Sequence, residues 1–156
     1  MMRSVRAIAV CMVILGMTAC SDDDESPTSP RSAGIGGEYR LAIQAASSCG
    51  TELDVGREVQ FNATITQSGD DLTIALVSEQ GFPTEGQFEG TLDGSVMSVE
   101  GTVHVAPSEG TRDYEASGEI LGPVGADIIQ GLFEGTIRYG DATCSAREHR
   151  ANFVRE

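Results

Sequence analysis

From Glu38 onward the chain alternates apolar and polar residues with a period of two, the pattern of strands that bury one face. Tyr39, Leu41, Ile43 and Ala45 share one face of a first strand, and Val59, Phe61, Ala63 and Ile65 one face of a second. Leu72, Ile74 and Leu76 follow in a third, Phe88, Gly90 and Leu92 in a fourth, and Met97, Val99, Gly101, Val103 and Val105 in a fifth. Tyr114, Ala116, Gly118 and Ile120 give a sixth face, and Ile129, Gly131, Phe133, Gly135 and Ile137 a seventh. An eighth strand is expected from Cys144 to Val154, with Ala151 and Phe153 inward. Turn residues separate these runs at Gln67 to Asp70, Asp93 and Gly94, Gly122 to Gly125, and Tyr139 to Asp141.

Eight sequential strands with one apolar face predict an all-β fold, an antiparallel up-and-down barrel over 35–156 whose closure removes both sheet edges. The cysteines bear on closure. Cys49 follows the first strand and Cys144 begins the last, so a Cys49–Cys144 disulfide requires those strands to meet. A two-sheet β-sandwich would also bring them together and remains the alternative. In a barrel, one end carries both termini and the short connections. The other carries longer loops near 47–57, 79–85, 106–110 and 139–143, together with the disulfide, and a binding site belongs at this mouth.

Gly86 to Leu92 (GQFEGTL) returns as Gly131 to Ile137 (GLFEGTI), with five identical positions. Phe88 and Phe133 are expected in the core, and the second glycine of each copy where a curved strand bends. Extending the period of two back from Phe153 places Arg147 and His149 on the inward face near the mouth. With Phe82, expected as an exposed aromatic in a mouth loop, and Tyr139, they form the candidate ligand-binding set. His104 alternates with Val103 and Val105 and is expected to face outward.

The chain's beginning has a different texture. Arg3 and Arg6 precede the apolar run Ala7 to Met17, which is short for a membrane span and suits a secretory signal over 1–19. Leu15 to Cys20 (LGMTAC) resembles the lipobox of bacterial lipoproteins, with Met17 at a position where that family usually has leucine. The resemblance implies acylation (palmitate) of Cys20 as the mature first residue and attachment to a membrane of the cell envelope. Ser21 after the cysteine resembles proteins sorted to the outer rather than the inner membrane. Residues 20–34 combine Asp22, Asp23 and Asp24 with a Ser-Pro-rich run and read as a disordered tether. Removal of Cys11 with the signal and acylation of Cys20 leave two thiols to pair outside the cytoplasm.

Among 156 residues the formal net charge is -14, and loss of Arg3 and Arg6 would take it to about -16. Nucleic acid and anionic lipid surfaces are thereby disfavoured as partners, while a cationic protein or peptide is attracted. No serine or cysteine nucleophile has an identifiable partner, and the two histidines lack metal-ligand spacing, so no catalytic residue, metal or cofactor is expected and the chain reads as non-enzymatic.

Gly37, Glu38 and Tyr39 at the start of the first strand resemble the Gly-x-Trp motif of lipocalins, with Tyr39 in the tryptophan position. The resemblance implies a barrel base closed by Tyr39 under an arginine of the last strand, Arg150 or Arg155, and an apolar ligand in the calyx. Three functions follow: a tethered binding module taking a small molecule or peptide at the mouth, an inhibitor of a cationic hydrolase, or a structural envelope component. The second rests on likeness in size, charge and location to bacterial lipoproteins that block lysozymes or proteases.

Overall fold

The computed structural model describes residues 34–53, 58–107 and 112–156; the segment 1–19 expected as a signal, Cys20, Asp22 to Asp24 and all but Gly34 of the expected tether lie outside them. Eight strands follow in order: β1 (Gly37–Gln44), β2 (Glu58–Ser68), β3 (Asp71–Ser78), β4 (Thr84–Asp93), β5 (Val96–Val105), β6 (Tyr114–Pro123), β7 (Ile128–Tyr139) and β8 (Ala142–Arg155). Each pairs antiparallel with the next, and β8 pairs with β1, so the sheet is a closed up-and-down barrel rather than a sandwich. Closure sets Leu41 opposite Phe153 and Ile43 opposite Ala151.

The alternating faces of the sequence form the interior. Phe61, Phe88, Phe133 and Phe153 are fully buried, interleaved with Leu41, Ile74, Val103 and Ile120. The repeated heptapeptide supplies two of the four phenylalanines. Its second glycines lie where the neighbouring strand comes too near for any side chain: a Cβ at Gly90 would overlap the Ser98 carbonyl oxygen, and one at Gly135 that of Ser117. The barrel is therefore tightly coiled and full.

The two ends differ. At the base, three short connections join β2 to β3, β4 to β5 and β6 to β7, and residues 34–36 lead into β1. Ile35 is buried there, its amide donating to Gln67 Oε1 at 2.8 Å. Tyr39 donates its hydroxyl hydrogen to the Ile35 carbonyl at 2.9 Å, and Arg155 lies 4.9 Å over the Tyr39 ring while donating to its oxygen at 2.5 Å. Burial raises the Tyr39 pKa, opposed by Arg155. The base thus has the aromatic-under-arginine arrangement expected, with Arg155 supplying the cation and Arg150 exposed outside. At the mouth, two 3-10 turns, Ser47–Cys49 and Thr51–Leu53, follow β1, and the Cys49–Cys144 disulfide with Cα atoms 5.6 Å apart pins them to β8.

Candidate functional site

The mouth is built on one irregularity. In the β7–β8 ladder Phe133 pairs with His149, but Gly135 pairs with Ala146, so Arg147 and Glu148 together oppose the single residue Glu134. This β-bulge shifts the side-chain alternation by one residue. His149, Ala151 and Phe153 point inward below it, Cys144 and Ala146 above it. Arg147 is displaced to the outside, where its side chain is 84 % exposed and its Nε sits 3.1 Å from Glu134 Oε1. The inward placement expected for Arg147 is thereby corrected. A strict period of two cannot survive the extra residue.

His149 is inward and fully buried, stacked at 5.5 Å against Phe133. Its Nδ1 accepts the Ala46 amide hydrogen at 3.0 Å, and its Nε2 donates to the Gly135 carbonyl at 3.3 Å. An Nδ1 that accepts and an Nε2 that donates specify the neutral imidazole. Burial lowers the His149 pKa, with the Gly135 hydrogen bond opposing. Both ring nitrogens are spent on the backbone, so His149 is a post that holds the start of the mouth segment at Ala46. Ser48 adds a second tie, donating its hydroxyl hydrogen to Glu148 at 2.9 Å.

Phe82 is folded back against the core rather than standing out as an exposed anchor, in a loop closed by the Gly81 amide bond to Ser78 and the Thr84 hydroxyl bond to the Phe82 carbonyl at 2.9 Å. Burying a phenylalanine removes its apolar area from water, which is reason enough for that placement. Tyr139 does lie in the mouth. It lines an apolar cleft with Ile43, Ala45, Leu53, Val59, Tyr114 and Ile137, around a cavity of about 20 Å³. Arg112 lies 5.7 Å over the Tyr139 ring. Of the four residues singled out in the sequence, the structure brings Tyr139 to this cleft and gives His149 a supporting place beneath the mouth segment.

Tyr114 is the residue that sequence reading passed over. It counted only as one more inward position of the sixth strand, yet its buried hydroxyl has no hydrogen-bond partner among the described residues. Desolvation drives its pKa far above the ordinary tyrosine value. An aromatic heading an inward face near the loop-bearing end was the available signal, because a tyrosine there must find a partner for its oxygen where a phenylalanine need not.

A polar cluster was also missed. On the outer wall near the mouth, His104 Nε2 donates to Asp113 Oδ1 at 2.6 Å, and Arg138 reaches Asp113 Oδ2 at 2.6 Å and Glu115 Oε2 at 3.2 Å. The hydrogen bond from His104, then the contact with Arg138, lower the Asp113 pKa. His104 faces outward as expected. Register could have found the group, since His104 pairs with Glu115 and Glu115 with Arg138 across β5, β6 and β7. Every charge in the cluster meets an opposite one, and among the described residues no three potential ligands converge in a way that would hold a metal ion. No protein family, curated protein or solved structure matches this chain.

Proposed function

We propose that this chain is an exported lipoprotein, carried on an acylated Cys20 at the outer membrane, whose barrel is a non-enzymatic binding module that receives a cationic peptide or protein segment at its mouth. The observation that carries this reading is the cleft of Ile43, Leu53, Val59, Ile137 and Tyr139 with the unpartnered Tyr114 hydroxyl beside it. A buried hydroxyl without a partner costs roughly 1–3 kcal/mol, which a bound group with a polar atom relieves. A cavity of about 20 Å³ has room for little more than a water-sized group. Enclosed sites for drug-sized molecules measure roughly 300–1,000 Å³, and four phenylalanines occupy the interior where a calyx ligand would lie. A side chain presented on a peptide fits this geometry better than a free ligand of that size.

Charge favours the same class of partner. The net charge of -14 attracts cationic segments over a distance set by ionic strength. The test is a titration of the mature chain with arginine-rich peptides that carry one central serine or threonine, small side chains with a hydroxyl. Binding should weaken steeply with salt and be lost on Tyr139→Ala. Binding that ignores this substitution would place the site elsewhere.

The acidity also favours a second reading, an inhibitor that covers the cationic active site of a lysozyme or protease. Inhibition of such a hydrolase at low salt, relieved at high salt, would select it over a peptide receptor.

A further inference from the structure

Five of the six large apolar side chains exposed among the described residues gather on one patch of wall. Val96, Leu121, Ile128, Leu132 and Val154 are each 44–58 % exposed, and only Val77 lies apart. The ladder makes them neighbours: Leu121 pairs with Leu132, Ile128 with Val154, and Val96 with Pro123. A groove of about 380 Å³ lined by Pro123, Val124, Gly125, Ile128 and Gln130 continues the patch. Isolated apolar residues on a surface need no explanation, but a contiguous band does.

The band starts at the base and extends up the wall to the Leu121–Leu132 pair. Val96 opens β5, Pro123 closes β6, Ile128 opens β7, and Val154 is next to last in β8. The N-terminal segment reaches the barrel at this same end. Its position is fixed there by the Ile35 amide on Gln67 and the Tyr39 hydroxyl on the Ile35 carbonyl, and β8 is the immediate neighbour of β1.

We infer that this β6–β8 face rests on the surface of a zwitterionic lipid bilayer and sets the mouth away from the membrane. The inference relies on the proposed attachment of the chain through Cys20. From Cys20 to Gly34 is a contour of at most about 50 Å, which confines the base to the neighbourhood of the anchor. Confinement of that kind turns a weak apolar contact into a persistent one, as linked binding sites do through effective concentration. The apolar side chains enter the boundary between headgroups and acyl chains, to about 5–10 Å for an interfacial element. The chain's charge of -14 selects lipids without net charge, since an anionic leaflet repels it.

The protein contains no tryptophan, so a single introduced indole reports on one place. The acylated full-length protein is reconstituted in phosphatidylcholine–phosphatidylethanolamine vesicles, with or without brominated acyl chains, as Leu132→Trp or as Val77→Trp. Val77 is equally exposed but lies on β3, across the barrel from β7. Flotation is measured on the same samples. The expected result is flotation of both variants, with fluorescence of Leu132→Trp quenched by bromination at least about twofold and that of Val77→Trp unchanged. Replacing part of the lipid with phosphatidylglycerol should reduce the quenching. Flotation with an unquenched Leu132→Trp overturns the inference while leaving the anchor intact. A spectral shift that grows with protein density and ignores bromination overturns it in favour of a second copy on this face. Failure to float overturns the anchoring and this inference together.

Discussion

The two ends of the barrel are closed by different means. At the base a polar cap is built around one ring: Tyr39 donates to Ile35, and Arg155 covers Tyr39 and bonds its oxygen through Nη2, while the buried Arg155 Nε has no partner among the described residues. The connections there are short. At the mouth a longer segment crosses the opening, held by a disulfide, by the His149 imidazole and by Ser48, and it leaves a small cleft with an unpartnered tyrosine hydroxyl. Two tyrosines of the same interior thus have opposite circumstances. Each end keeps one buried polar atom without a partner among the described residues, Arg155 Nε at the base and the Tyr114 hydroxyl at the mouth, but only the one at the mouth borders a cleft, as expected when a scaffold carries a site on its loops.

The largest effect should come from the mouth's covalent tie. Replacing both Cys49 and Cys144 with alanine frees a loop of 95 residues and should cost about 4–5 kcal/mol in urea denaturation, on the chain-entropy account. Amide exchange should accelerate first in residues 44–53 and leave Tyr39 and Leu41 protected. Uniform loss of protection would erase the distinction between the ends.

Next in size is the base. Arg155→Ala removes a cation–π contact and a charge-assisted hydrogen bond and should cost about 2–4 kcal/mol by the same denaturation measurement. Its exchange pattern should be the reverse, with residues 35–39 opening before the mouth segment.

His149→Asn should cost about 1–3 kcal/mol: the Asn Oδ1 can still accept the Ala46 amide hydrogen, but the Nε2 bond to the Gly135 carbonyl and the ring contact with Phe133 are lost. The substitution also carries a pH signature. Burial holds the folded-state pKa of His149 below its ordinary 6.5, so in that window the unfolded chain binds the extra proton. The stabilisation is whole above about pH 6.5 and declines as pH falls through the lower folded-state value. Denaturation midpoints of the wild type should fall on acidification below 6.5, and that component should be missing from His149→Asn. Asp113 contributes in the same direction further down: its pKa is lowered, so its contribution is present above the ordinary carboxylate value and lost as pH falls through the folded one.

Smallest is Tyr114→Phe, which deletes only the unpartnered oxygen. Its stability should stay within about 1 kcal/mol of wild type or rise slightly, because no hydrogen bond is lost. Peptide binding at the mouth should weaken all the same. A large destabilisation would show that the hydroxyl is already satisfied within the free protein.

The architecture was legible because it is written in local, repeated information. Alternation from Tyr39 to Phe153 defined eight inward faces, and Cys49 and Cys144 identified which strands must meet. Arg147 was misplaced because a bulge in β8 has no marker in Ala146, Arg147 and Glu148, none of them a glycine, and the extra residue shows itself only against Glu134 on the partner strand. Phe82 was misjudged because an aromatic beside Gly81 and Pro83 looks solvent-facing until the core it folds onto is known. The cluster of His104, Asp113, Glu115 and Arg138 depends on the pairing of three strands, which no single segment displays. Tyr114 was visible as a core position. Only the three-dimensional packing showed that its oxygen has no partner among the described residues.

On the proposed function, a filled barrel recognises its partner at the mouth surface rather than enclosing a ligand. The most direct test is native mass spectrometry of the protein isolated from its own cells, compared with the denatured mass of the same sample. The expected result is equal masses apart from solvent and salt, a covalent acyl group on Cys20 in both, and two hydrogens fewer than the reduced chain for the Cys49–Cys144 bond. A stoichiometric non-covalent molecule of several hundred daltons, present in the native spectrum and absent after denaturation, would contradict it.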